Sequence, residues 1–220
     1  MLNNKLTKWI FAAALTTLMG AASAQLAGAN LPGVTKMARP QPVENDGKIE
    51  IIEFFGYGCI HCAQLDPELE KWIKRQGADV KVKRVPVPFG HKGVNSPPLY
   101  YSLEALGALD KLHPKIFEAV HAENVVIGNP ATLNKWLEKN GVDPKKYEDV
   151  QKSFSVASKV SRSQKMTSDY DIQSTPVMVV NGRYQVVVQG GPEVFFRTLD
   201  QLVAETRASN APAKAPPAKK

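Results

Sequence analysis

Lys48-Ile49-Glu50-Ile51-Ile52-Glu53-Phe54-Phe55-Gly56-Tyr57-Gly58-Cys59-Ile60-His61-Cys62 decides how this 220-residue chain is read. The stretch from Lys48 to Phe55 is short, β-branched and aromatic, the composition of a buried strand. Gly56 and Gly58 break it. From Cys59 the spacing turns helical, with Leu65, Leu69, Trp72 and Ile73 at i, i+4, i+7 and i+8. A strand therefore runs through a glycine turn into a helix that opens on the only two cysteines of the chain.

A helix N-terminus offers unpaired N–H groups and the positive end of the helix dipole. Both favour a thiolate at Cys59, so its pKa is expected to fall and its sulfur to be reactive. His61 lies in the same turn and can add charge or a hydrogen bond. Cys62, one turn further in, is expected to be shielded and to resolve a mixed disulfide formed at Cys59. Three other readings compete. A structural bridge across two residues closes a tiny loop and contributes little. A metal site needs two more ligands, and His91, His113 and His121 are scattered without ligand spacing. Two free thiols suit an oxidising compartment poorly.

Further along the chain, Ala78 to Val87 alternates around Val80, Val82 and Val85 as a second strand. Residues 97 to about 170 carry only helical signals. Leu99, Leu103, Leu106 and Leu109 mark one helix, and Ile116, Phe117 and Val120 another. Asn129-Pro130 and Asp143-Pro144 open a third and a fourth, and a fifth runs from about Val156 to Tyr170. Strand signals return after Pro176, as Val177 to Val180 and Arg183 to Val188 joined by Asn181-Gly182, a strong hairpin signal. Gly190-Gly191-Pro192 then opens a last helix. Glu53 shares a strand face with Ile49, Ile51 and Phe55, a costly place for a charge without a partner or a role. Lys83 on the neighbouring strand is the partner expected for it.

The ends read differently. Lys5 and Lys8 precede a short apolar run, and Ala22-Ser23-Ala24 forms a small-x-small cleavage pattern. That is a secretory signal peptide, cleaved after Ala24, and it is too short to span a bilayer. The net charge of +7 largely belongs to the ends: without Lys5, Lys8, Lys214, Lys219 and Lys220, 23 basic residues face 21 acidic ones. The nearly neutral body gives no support to nucleic-acid binding. The expected organisation is a signal peptide (1–24), an extended lead-in (25–46), an α/β domain in two parts (47–96 and 169–207), an inserted helical domain (97–168) and a disordered basic tail (208–220).

Glu53-Phe54-Phe55 ahead of Cys59-x-His61-Cys62, the central helical stretch, and Thr175-Pro176 before a hairpin together resemble the DsbA family. The likeness covers about residues 45–205. It implies an α/β, thioredoxin-like fold with an all-helical domain inserted. It implies a periplasmic disulfide oxidase that acts on unfolded exported proteins, as a monomer and without a cofactor. A quinone-linked membrane protein, DsbB, would be its reoxidant. It assigns Cys59 as nucleophile, Cys62 as resolving thiol, His61 as thiolate stabiliser and Pro176 as a cis-proline facing the redox-active disulfide. Thr175 would offer backbone groups to substrate, and Glu53 would exchange a proton with Cys62. Pro67 is similar to the kinking proline of thioredoxin's active-site helix. Ile60 stands where the family's dipeptide commonly has proline, and Thr175 where its best-known member has valine. Threonine there is similar to the disulfide isomerases. The rival functions are an isomerase or reductase of the DsbC or DsbG type, and an exported binding protein with a structural or metal-holding cysteine pair. About 20 loop-like residues ahead of the first strand leave little room for the dimerisation domain of the former.

Overall fold

The computed structural model describes residues 30–210 except 45, 91 and 92. The leader (1–24), His91 and the tail from residue 211 lie outside the described residues. The elements in chain order are β1 (Val34–Lys36), β2 (Ile49–Phe55), α1 (Ile60–Lys74), β3 (Val80–Pro86), α2 (Ser96–Ala105), α3 (Leu109–His121), α4 (Pro130–Lys139), α5 (Pro144–Gln151), α6 (Phe154–Asp169), β4 (Val177–Val180), β5 (Tyr184–Val187) and α7 (Pro192–Asn210). The five strands form one sheet in the order β1-β5-β4-β2-β3, with β2 and β3 parallel and the other pairs antiparallel.

Every residue of β2 is buried, Glu50 and Glu53 among the apolar side chains included, as the central position of a strand covered on both faces dictates. One face packs Ile49 and Ile51 against Leu65, Leu69 and Trp72 of α1 and Phe195, Leu199 and Leu202 of α7. The other packs Ile52 and Phe54 against Tyr170 and Ile172. Burying each large side chain of this kind contributes about 1.5–3 kcal/mol. A third apolar cluster, built from α2 to α5, receives Phe55, Tyr57, Cys59 and Cys62 from the strand-turn-helix stretch. The mixed sheet with its helical block between β3 and β4 is a thioredoxin-like arrangement.

Local chemistry explains most boundaries. Asn129, Asp143 and Ser153 cap α4, α5 and α6 with side-chain oxygens that accept backbone N–H bonds. Asn181 and Gly182 have φ of 49° and 62°, both left-handed, as a type I′ hairpin between β4 and β5 demands. A side chain at Gly182 would also meet the carbonyl oxygen of Gln41 at 2.2 Å.

Three expectations are revised. Leu109 does not extend the helix of Leu99 and Leu103. Gly107, at φ 66°, ends α2 in a Schellman motif, with its N–H on Glu104 and that of Ala108 on Leu103. The lead-in contains a strand, β1, paired with β5 from Val34↔Val186 to Lys36↔Tyr184. At the other end, α7 continues to Asn210, beyond the start of the expected tail at 208, and Arg207 forms an ion pair with Asp79.

Candidate functional site

β2 ends at Phe55 and hands the chain to a tight turn in which the Cys59 N–H donates to the Gly56 carbonyl at 3.0 Å. Cys59 is the N-cap of α1, extended at φ −87° and ψ 112°. Its sulfur takes the place that a Ser or Asp oxygen holds at other helix starts, and accepts the Cys62 N–H at 3.2 Å. Cys62 is fully buried, and Cys59 keeps 6% of its surface exposed.

The two thiols are driven in opposite directions. Cys59 is lowered from 9.0 to about 5, chiefly by a hydrogen bond from the Cys62 thiol and further by the Thr175 side chain and the backbone N–H groups of Cys62 and His61, against the opposing effect of burial. Cys62 is raised, by burial and then by the sulfur of Cys59 beside it. One thiolate shared this way settles on the sulfur at the helix end, where the donors converge.

Thr175 and Pro176 stand opposite. Their peptide bond is cis. The Thr175 carbonyl lies 3.4 Å from Cys59 Sγ and accepts from it in the thiol form. That contact favours the thiol and the Thr175 side chain favours the thiolate. The thiolate prevails because the remaining donors act in the same sense. Pro176 and Thr175 also line a groove of about 410 Å³ with His61, Leu65, Val187 and Val188. Val187 and Val188 expose apolar surface there, and Ile60 is exposed at the start of α1.

His61 lies on the rim of the groove. Its ring Nδ1 is 3.4 Å from Gln64 Oε1, and its contribution to Cys59 comes through its backbone N–H. Pro67 lies within α1 and leaves the Ala63 carbonyl without its usual helical donor. Glu53 is buried, 2% exposed, and its carboxyl is raised by burial, partly offset by Arg84. Among the described residues no hydrogen bond joins Glu53 to either sulfur.

The expected Glu53–Lys83 pair is corrected. Arg84, not Lys83, binds Glu53, with Nε–Oε2 at 2.9 Å. Parallel pairing sets Glu53 against Arg84 and Ile52 against Lys83, so Lys83 falls on the opposite face and binds Glu50 at 2.6 Å. Arg84 also reaches Asp66 at 3.2 Å and Glu70 at 2.8 Å. Burial alone would lower Arg84, yet the carboxylates around it hold it above its ordinary value. Asp66 continues to His113, and His113 to the hydroxyl of Tyr57. Arg84, Asp66, His113 and Tyr57 were not singled out from the sequence as functional residues. Asp66 carried a signal, because it lies between Cys62 and Leu69 at i+4 and i+7 on the buried face of α1. His113 carried one too, four residues from Phe117 and eight from His121 on one helix face.

The chain matches the family described as DSBA-like thioredoxin domain over residues 98–199. It is 42% identical over 150 residues to the thiol:disulfide interchange protein DsbA of Burkholderia cepacia, covering 68% of this chain and 71% of that one. Against the DsbA of Bordetella parapertussis it is 36% identical over 211 residues, 94% of this chain and all of that one. Among solved structures, Pseudomonas aeruginosa DsbA superposes with a TM-score of 0.74 at 32% identity, covering 81% of this chain and 94% of that one. The oxidoreductase DsbA from Xylella fastidiosa gives 0.72 at 31%, covering 80% and 96%. A shared fold and 36% identity over nearly the whole chain, around a cysteine pair poised for thiol chemistry, place it: the chain belongs to the DsbA family of thiol:disulfide oxidoreductases.

Proposed function

We propose that the chain donates a Cys59–Cys62 disulfide to newly exported, unfolded proteins. A substrate thiolate attacks Cys59 Sγ. The Cys59–Cys62 bond breaks, and its electron pair leaves on Cys62, which takes up a proton because burial disfavours its charge. The substrate's second thiolate then attacks the substrate sulfur of the mixed disulfide. The new disulfide forms on the substrate, and Cys59 departs as a thiolate. Two electrons pass from substrate to enzyme, and no cofactor is needed.

The observation that carries this reading is the seat of Cys59 at the N-cap of α1, with a thiol lowered to about 5. A stabilised thiolate is a good leaving group and stabilises the reduced enzyme, which makes the disulfide a strong oxidant. Glu53, pushed by burial toward its protonated form, supports a role as proton reserve for Cys62. The backbone N–H of His61 supports it as a thiolate stabiliser. The groove beside Thr175 and Pro176 supports an extended peptide as the substrate, its apolar side chains on Val187 and Val188. By its resemblance to the family, the mature chain begins after Ala24, works in the periplasm as a monomer and is reoxidised by a membrane protein of the DsbB type.

The test is a redox equilibrium of the mature protein across glutathione ratios, with free thiols counted after acid quench. Reduction by a slight excess of reduced glutathione is the expected result. A disulfide that persists under strongly reducing ratios would mean a structural bridge or a reductase, and the donor reading would fall.

A further inference from the structure

Tyr57 is the second residue of the turn that delivers Cys59, and it is fully buried. Each of its three polar groups is held by the helical block. Its N–H donates to Ser96 Oγ at the start of α2, 2.9 Å away. Its carbonyl lies 2.8 Å from His121 Nε2, at the end of α3. Its hydroxyl lies 2.8 Å from His113 Nδ1, two turns earlier on the same helix. A carbonyl only accepts, so His121 carries its hydrogen on Nε2. His121 Nδ1 is buried and has no hydrogen-bond partner among the described residues. His113 gives its Nε2–H to Asp66 at 3.2 Å, which leaves Nδ1 to accept the phenol. Burial keeps that phenol protonated. The rings of Phe55, Tyr57, His113 and Phe117 pack edge-on or tilted around this junction.

We propose that His121 and His113 are positioning residues for Cys59, acting through Tyr57. The inference rests on Cys59 being the nucleophile. Two sequence-distant helices thereby fix the orientation of a turn whose last residue must keep its sulfur within hydrogen-bond reach of the Cys62 N–H. A hydrogen bond tolerates displacements of only a few tenths of an ångström, whereas a turn freed from its anchors rotates as a unit. Loss of the His121 donor leaves the Tyr57 carbonyl buried without its only side-chain partner among the described residues.

The test compares wild type, His121→Ala, His121→Gln and Tyr57→Phe as folded, reduced proteins. The Cys59 thiolate is titrated by its ultraviolet absorbance, and the rate of mixed-disulfide formation is measured with a small disulfide. In His121→Ala the titration should move up by about one pH unit, which is a tenfold change in the thiolate-to-thiol ratio. The rate at about pH 4, where the thiolate is the scarce form in both proteins, should fall several-fold, whereas near neutral pH both are ionised and should differ little. His121→Gln, whose amide nitrogen reaches the same carbonyl, should restore most of both. Tyr57→Phe should shift the titration in the same direction by less. A His121→Ala protein that melts earlier but titrates like wild type overturns the proposal and leaves His121 a structural residue. Should His121→Ala not fold, Tyr57→Phe decides by the same titration, an unchanged curve overturning the proposal. Cys59→Ser shows whether the titrating signal belongs to Cys59 at all. Wild-type absorbance that survives Cys59→Ser would fail the nucleophile assignment itself, separately from the anchor.

Discussion

Cys59 sits at the rim of α1 and Cys62 inside its first turn, and the two places give one side chain two chemistries. At the rim, the backbone N–H groups of His61 and Cys62 point at sulfur, and a groove opens beside it. Inside, the sulfur meets the apolar cluster of Phe55, Leu99 and Leu103 and loses its charge. Reactivity here is a property of the helix end more than of the cysteine. It follows that the division of labour between the two sulfurs can be broken by changing either neighbourhood.

The largest effect should come from removing the rim sulfur. Cys59→Ser should abolish disulfide donation, a loss on the order of 10³-fold or more. Cys62→Ser, offered a substrate that already carries a disulfide, should instead accumulate enzyme bonded to that substrate through Cys59, with the displaced substrate sulfur leaving as a thiol, visible by mass spectrometry under non-reducing conditions. If the two variants trap substrate equally well, the roles are not divided as the geometry divides them.

Removing the cation beneath the site comes next. Arg84→Ala would leave Glu53, Asp66 and Glu70 facing one another without it. Breaking a buried pair from one side costs about 3–5 kcal/mol, to be read from urea unfolding. A loss below about 1 kcal/mol would mean that the carboxyls had relaxed by taking up protons.

pH sharpens the comparison without mutation. The folded Cys59 thiol titrates at about 5, below the 9.0 of an unperturbed cysteine. Between those values the folded chain holds a thiolate and the unfolded chain a thiol, so folding releases a proton and stability rises with pH. The reduced protein should therefore gain on the oxidised one from about pH 5 to about pH 9, and lose that gain as pH falls through 5. Cys62, raised when folded, stays protonated in both states across this window and adds nothing. Melting temperatures of the two redox forms at matched pH check the slope, and a difference independent of pH would contradict it.

The smallest effect belongs to the far side of the sulfur. Thr175→Val deletes a side chain that favours the thiolate and keeps the carbonyl that favours the thiol. The Cys59 titration should rise by less than about one pH unit, as for one weak hydrogen bond among several. A downward shift would show that the carbonyl, and not the side chain, sets the balance at this edge.

What the sequence disclosed follows the range of the interactions. β2, the glycine turn, the cap at Cys59 and the Asn181-Gly182 hairpin are decided within a few residues, and each was legible. β1 was not, because Val34 is only half-buried, Thr35 and Lys36 are exposed, and all three gain their strand from β5, about 150 residues away. Glu53 was recognised as an anomalous buried acid, yet its cation was misassigned because the choice between Lys83 and Arg84 depends on strand register. The grip of Ser96, His113 and His121 on Tyr57 spans 39 to 64 residues and is set by how α2 and α3 pack.

The two outer strands of the sheet carry a last consequence. A thiol:disulfide oxidoreductase works on other protein chains, and an exposed backbone segment of such a chain can pair with any free strand. β1 is three residues long and β3 carries Lys81, Lys83 and Arg84 along its length. Short and cation-bearing edges make poor templates for strand addition. The outer strands therefore offer little open backbone to a passing chain, and the apolar groove beside Thr175 is lined by residues outside both of them.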